Sequence, residues 1–250
     1  MASSKNIVEF LNTELSVELF KDYCPNGLQV EGKEEVKKVV SAVTASQNVL
    51  TRSVELDADM LIVHHGYFWK GEDQRIQGMK RNRLKCLLQQ DISLLAYHLP
   101  LDAHPEYGNN TQLAKILGIK QSGLLSGEAD LVGVGHFENK LLAVELAQLI
   151  NTKLGREPLH IPGNSAYIDK VAWCTGGAQS YFNHAIESGV DAYITGEVSE
   201  QNYHLAKESG VHFFAAGHHA TERYGVLAIG DLLSRKFDVE HVFIDENNPV

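Results

Sequence analysis

Three features of the chain predict an α/β protein built as two similar α/β domains. A strand–helix–strand order occupies residues 36–65, the same design returns at 171–198, and the first copy ends in the adjacent pair His64-His65. Parallel strands joined by a helix require a right-handed crossover and lie in a sheet covered on both faces. In such sheets ligands gather just beyond the carboxyl ends of the strands. The recurrence predicts an internal duplication, with a first domain over 1–124, a second over 125–250, and a metal site in the cleft between them.

The elements follow in order. Residues 5–20 carry Ile7, Phe10, Leu11, Leu15 and Leu19 at helical spacing. Pro25-Asn26-Gly27 is a turn. Residues 36–43 read as a strand, 49–56 as a helix, and 60–65 as a buried strand of apolar residues ending in the two histidines. Side chains alternate along a strand, so His64 and His65 point apart unless the chain bends, and Gly66 supplies the freedom to bend. Aimed apart, the two rings suit two neighbouring ions. A polar loop spans 67–80, a helix 81–90 and a strand 92–97, followed by His98-Leu99-Pro100-Leu101-Asp102. Residues 109–117 form a helix closed by Gly118, 131–134 are strand-like, and 141–154 form an amphipathic helix.

Residues 171–198 repeat the order of 40–66: strand, small polar turn (Thr44-Ala45-Ser46 against Thr175-Gly176-Gly177), helix, acidic turn, strand. Asp59 matches Asp191, Ile62 matches Ile194, and His64-His65 fall opposite Gly196-Glu197. The next strands also correspond, 92–98 with 211–217. Beyond them lie Asp102 in one half and His218, His219 and Glu222 in the other. Four landmarks in one order favour duplication over a chance likeness of α/β units. Duplicated halves bring equivalent strand ends together, so His64, His65, Asp102, His218 and Glu222 converge as candidate ligands.

Composition narrows the function. A net charge of -10 over 250 residues argues against nucleic acid as partner. Arg75, Lys80, Arg81, Arg83 and Lys85 do cluster, on what reads as a solvated helix face or an anion-binding patch. Three scattered cysteines form no C-x-x-C pair, which fits the reducing cytoplasm. No secretory signal opens the chain, and no run approaches the ~18 apolar residues of a membrane span.

His218 and Glu222 share a helix face at i and i+4. Spacing alone leaves His219 as an alternative to His218. Three imidazoles and two carboxylates suit two borderline divalent ions, zinc, iron or manganese, about 3.5–4 Å apart. Each residue also has an ordinary reading: strand-end histidines, a turn aspartate at 102, a surface pair of Glu222 with Arg223 or Arg52. His98 is a candidate acid or base, or a partner that orients a ligand. Thr44, Ser46, Gly176 and Gly177 stand at βα turns where a phosphate is held. Lys70, Arg81 and Arg83 are candidates to neutralise an anionic substrate, and Tyr67, Phe68 and Trp69 to stack on a base or to fill the core.

The motifs Pro25-Asn26-Gly27-Leu28-Gln29-Val30, His64-His65-Gly66, His98-Leu99-Pro100-Leu101-Asp102, Thr195-Gly196-Glu197 and Gly217-His218-His219-Ala220-Thr221-Glu222 together resemble one family. It is the dinuclear-metal family of GTP cyclohydrolase 1 type 2 homologues, also called Nif-three-like, in its short bacterial form. The resemblance spans nearly the whole chain. It implies metal ligands at His64, His65, Asp102, His218 and Glu222, so that His218 is chosen over His219. It further implies that Glu222 bridges the ions and that the chain assembles as a toroidal homohexamer, a trimer of dimers. Gly66 departs from a frequent proline and His219 from a frequent tyrosine. The implied activity is a hydrolase acting on a nucleotide or related anionic heterocycle through a metal-bound hydroxide. The competing reading is a metal-binding protein without turnover: a carrier, regulator or scaffold.

Overall fold

The computed structural model describes residues 2–127 and 130–250. The chain divides into two compact units, the first running to Gly108 and including Gly225–Asn247, the second comprising Asn109–Tyr224 and Asn248–Val250. The first unit opens with β1 (Ala2–Ser3), α1 (Ser4–Glu14), β2 (Gly27–Val30), β3 (Glu35–Val36), β4 (Lys38–Thr44), α2 (Gln47–Glu55) and β5 (Met60–His65). It continues with α3 (Gly78–Gln89), β6 (Ser93–Ala96) and α4 (Leu99–Ala103). The second unit holds α5 (Asn109–Leu117), β7 (Lys120–Leu124), β8 (Gly133–Leu142), α6 (Ala143–Leu154), β9 (Leu159–Ile161) and β10 (Tyr167–Trp173). It continues with α7 (Phe182–Glu187), β11 (Ala192–Thr195), α8 (Glu200–Ser209) and β12 (His212–Ala215). Helix α9 (His218–Phe237) starts in the second unit and runs on into the first, which β13 (Glu240–Phe243) completes.

The boundary expected between 124 and 125 is thus corrected. Leu113, Ala114 and Leu117 of α5 pack with Leu146, Ile150 and Trp173 in the second unit's core. The end of the chain returns to the first unit, where Val226, Ile229 and Leu233 enter the core and β13 pairs in parallel with β4. An apolar stripe goes where it is best buried, which order along the chain does not reveal. The first helix is also shorter than its spacing predicts. Ser16, in the left-handed region at φ 49°, ends it, and Leu19 is left 76% exposed on a following 3-10 turn.

In the first unit the sheet order is β13-β4-β5-β6-β2, with β2 antiparallel at one edge and the rest parallel. Burial on both faces explains the unbroken apolar runs. Val39, Val43, Met60, Ile62 and Leu95 belong to one core cluster, while Val40, Ala42, Leu61, Val63 and Leu94 belong to another.

The second unit's sheet order is β7-β8-β10-β11-β12-β9, with β10, β11 and β12 parallel. Its central registers match those of the first unit. Val39 opposite Met60 corresponds to Val171 opposite Ala192, and Met60 opposite Ser93 to Ala192 opposite His212. The antiparallel edge strands also correspond, Leu28 opposite Leu95 with His160 opposite Phe214.

One carboxylate in each unit fastens this frame. Asp59 accepts the backbone N–H groups of Lys37 (2.9 Å) and Lys38 (3.1 Å), and Asp191 accepts those of Asp169 and Lys170, both at 2.9 Å. Lys33 Nζ adds a third bond to Asp59 at 2.9 Å. Asp59→Ala leaves two strand-entry N–H groups without that acceptor and is expected to cost about 1–3 kcal/mol. Asp191→Ala is expected to fall at the lower end of that range, having no lysine bond to lose. Urea denaturation of both variants measures the difference, and two unaltered midpoints would show that solvent replaces the carboxylates.

Candidate metal centre

The end of β5 presents both predicted histidines. His64 is completely buried, and its Nδ1 lies 2.9 Å from the carbonyl oxygen of Tyr97. A carbonyl only accepts, so Nδ1 carries the hydrogen and, in the neutral ring, Nε2 carries a lone pair. That Nε2 faces Asp102 Oδ1, on the short helix α4, at 3.5 Å. His65 Nδ1 is 3.3 Å from the hydroxyl of Thr44, its partner across the β4–β5 register. The two rings do not diverge as far as alternation suggests, for their centroids are 4.6 Å apart. Gly66 is needed for space rather than for bending. Its φ is not in the left-handed region, and a Cβ there would run into Gln29 Oε1 and Ala96. Gln29 in turn accepts from Tyr67 N at 2.7 Å and donates to Pro25 O at 2.9 Å.

His98, capping α4, joins the same cluster. One ring nitrogen from each of His64, His65 and His98 lies within 4.8 Å of the others. His98 sits 5.0 Å from the His64 ring and 5.1 Å from Trp69, which meets it edge-on. Its Nδ1 is 2.8 Å from Asp22 Oδ1. Asp22 also accepts from Tyr23 N, Asn26 Nδ2 and Leu99 N, while Asn26 Oδ1 accepts from His98 N. Burial pushes the Asp22 carboxyl up, but the bonds from His98 and Asn26 outweigh it and hold the pKa down at about 2.

In the second unit α9 begins directly after β12. Gly217 makes the turn at φ 100°, and Thr221 Oγ1 ties the first helical turn back by donating to Gly217 O and accepting from Gly176 N. His218 Nδ1 is 2.7 Å from Glu197 Oε1, and its Nε2 is 3.2 Å from Glu222 Oε2. Burial lowers the His218 pKa, but the Glu222 and then the Glu197 carboxylates override it and raise the value to about 9. His219 is buried as well, and its backbone N–H is bonded to Val250 O.

The other predicted site residues serve different ends. Ser46 caps α2 by accepting from Val49 N and donates to Glu246. A Cβ at Gly176 would run into Glu222 Oε1, so this turn lies against the glutamate carboxylate and needs glycine for that approach. Lys70 and Arg81 are exposed, and the Arg83 guanidinium lies over the Tyr67 ring at 5.9 Å. Tyr67 is core, donating its buried hydroxyl to Ala45 O. Sequence reasoning missed Asp22 and the role of Glu197. A signal for Glu197 existed, since it holds the register position of His65; for Asp22 there was none.

The donor chemistry fits a cation. Each half holds an imidazole whose Nδ1 is bonded to an acceptor and whose Nε2 points at a buried carboxylate. A lone pair and an anion face each other stably only around a proton or a metal ion.

The fold and these His/Asp/Glu clusters define the class, an α/β protein with side chains able to hold a metal ion. The family profile of Duf34/NIF3 (NGG1p interacting factor 3) matches residues 2–249, and the chain belongs to that family. A GTP cyclohydrolase 1 type 2 homolog of Pseudomonas aeruginosa is 54% identical over 245 residues, covering 97% of each chain. The Escherichia coli K12 homolog is 53% identical over 242 residues, covering 96% of this chain and 97% of its own. Among solved structures, one from Thermus thermophilus is 34% identical with a TM-score of 0.91, covering 99% of this chain and 100% of its own.

The His218 pKa fixes a pH dependence. The folded value of about 9 lies above the ordinary ~6.5, so the stability it contributes is complete below about pH 6.5 and disappears as pH rises through about 9. In metal-free protein, the melting-temperature gap between wild type and His218→Gln should therefore narrow across that window. A gap constant from about pH 6 to 10 would show that the imidazole is not charged.

Proposed function

We propose that the protein is a dinuclear metal-dependent hydrolase acting on a nucleotide or a related anionic heterocycle. His64, His65 and Asp102 supply one set of ligands and His218 and Glu222 the other, around two divalent ions of the zinc, iron or manganese type. The observation that carries this reading is the paired arrangement of Nε2 against carboxylate in each unit. The matched strand registers support descent of the two halves from one duplicated unit. Two divalent ions would polarise a water molecule and clamp a substrate oxygen. The chain's own part is to fix the ligands. The Tyr97 carbonyl, the Thr44 hydroxyl and the Glu197 carboxylate each hold the Nδ1 side of one imidazole.

The relatives' name, GTP cyclohydrolase 1 type 2 homolog, supports a purine nucleotide as the first substrate to test. A hexameric ring in the cytoplasm completes the proposal; among the described residues no helix is long and apolar enough to cross a membrane.

Metal analysis of purified variants tests the ligand set. His64→Ala and Glu222→Ala are expected to lose metal and turnover together while light scattering still reports a hexamer. Glu197→Gln should keep the ions but weaken them by about 10–100-fold, as expected for a partner that orients a ligand. Turnover of GTP or a damaged nucleotide, read by mass spectrometry, surviving in a verified metal-free His64→Ala/Glu222→Ala variant would overturn the hydrolase. Full metal loading with no turnover of any nucleotide would favour the carrier.

A further inference from the structure

The bonds around Asp22 go beyond what a turn requires. Its side chain is 2% exposed, and its two oxygens accept four hydrogen bonds, from His98 Nδ1 and Tyr23 N on one and from Asn26 Nδ2 and Leu99 N on the other. Three of the four donors are amide nitrogens, which never accept. The imidazole is the one member that exists in two tautomers, and a carboxylate held at about 2 accepts from it at every physiological pH. His98 therefore has its hydrogen on Nδ1 and its lone pair on Nε2, the nitrogen turned away from Asp22.

Two further observations bear on what His98 can do. Its side chain keeps 16% exposure, so the ring is partly open. Its ring is also fixed on three sides, by Asp22, by the edge-on Trp69 and by the neighbouring His64. A ring so held, partly open and next to the histidine pair, is placed to take a proton from a water bound there.

We propose that Asp22 is a positioning residue that locks His98 with hydrogen on Nδ1, so that Nε2 takes the proton of the attacking water beside His64 and His65. As the water oxygen forms its bond to the electrophilic carbon, its proton moves to Nε2. The resulting imidazolium, still bonded to Asp22, returns that proton to the departing nitrogen or oxygen as the old bond breaks. The proton-transfer half rests on the hydrolase reading; the tautomer lock does not.

Asp22→Asn discriminates. An amide in place of the carboxylate must turn its NH2 toward either His98 and Tyr23 N or Asn26 and Leu99 N. The first choice gives up only the exposed Tyr23 N–H, because the imidazole can change from donor to acceptor, whereas the second gives up two amide donors. Long-range proton–nitrogen correlation spectra of nitrogen-15-labelled, metal-free protein, assigned with His98→Gln, read the tautomer directly. Wild type is expected to show hydrogen on Nδ1, and Asp22→Asn hydrogen on Nε2. Asn26→Ala loosens the same loop but keeps the carboxylate, so Nδ1 should stay protonated. Hydrogen on Nε2 in wild type, or an unchanged Nδ1–H in a folded Asp22→Asn, overturns the lock, and the wild-type spectrum decides alone if the variant does not fold.

Metal affinity of His98→Gln should stay within about threefold of wild type, since outer partners and ligands cost tenfold or more. A larger loss would make His98 a ligand and overturn the proton-acceptor role. With a nucleotide that the loaded protein turns over, Asp22→Asn should lower kcat about 100-fold or more with KM unchanged. If no nucleotide is turned over, the proton step falls with the hydrolase reading and the tautomer result stands.

Discussion

The bond from His64 Nδ1 to the Tyr97 carbonyl decides what the end of β5 can do. Tyr97 N donates to Val63 O, so the carbonyl that fixes His64 belongs to the same parallel ladder that carries the histidine. Register and tautomer are therefore one constraint. A slip of one residue between β5 and β6 would move every side chain to the opposite face and take the carbonyl away from the ring. The Nε2 that faces Asp102 points there because the sheet is paired as it is.

The second unit reaches the same end by another route. Its candidate ligand His218 does not stand at the end of β11, where Gly196-Glu197 hold the places of His64-His65, but on the first turn of α9. Glu197 then acts from the strand position and grips the outer nitrogen of His218. One frame of matched registers thus places candidate ligands at the end of a strand in one unit and, just beyond the corresponding strand of the other, a carboxylate that holds a candidate ligand. The glycines follow from this. Gly66 makes room for Gln29, and Gly176 and Gly196 bring backbone up against Glu222 and His218.

Much of this was legible in the sequence because it is local. Unbroken apolar runs marked β4, β5 and β6, the spacing of His218 and Glu222 predicted a shared helix face, and α5 occupies the residues its turn signals marked. What escaped notice depends on long-range contact. The return of 225–247 to the first unit, Leu19 turned outward, and the hold of Asp22 on His98 across 76 positions leave no trace in periodicity. Gly66 was assigned to bending because a sequence shows that a residue lacks a Cβ but not what occupies the Cβ's place.

The carboxylates set the character of the candidate ligand cluster in each unit. Asp102, Glu222 and Asp22 are each held in low exposure beside an imidazole, in a chain that already carries a net charge of -10. Burying an anion is costly unless a partner compensates it. Asp22 obtains full compensation from four donors and is held strongly acidic, so it keeps its proton partner whatever else binds. Asp102 and Glu222 each face the Nε2 of an imidazole whose Nδ1 is tied to the frame. At His218 the protein without metal meets this demand with a second proton, which is why that imidazole is raised to about 9. A divalent ion held there would do the same work with two charges, so ion and proton would compete for one position. Cation binding at these residues would thereby be linked both to proton release and to the stability of the fold that holds them.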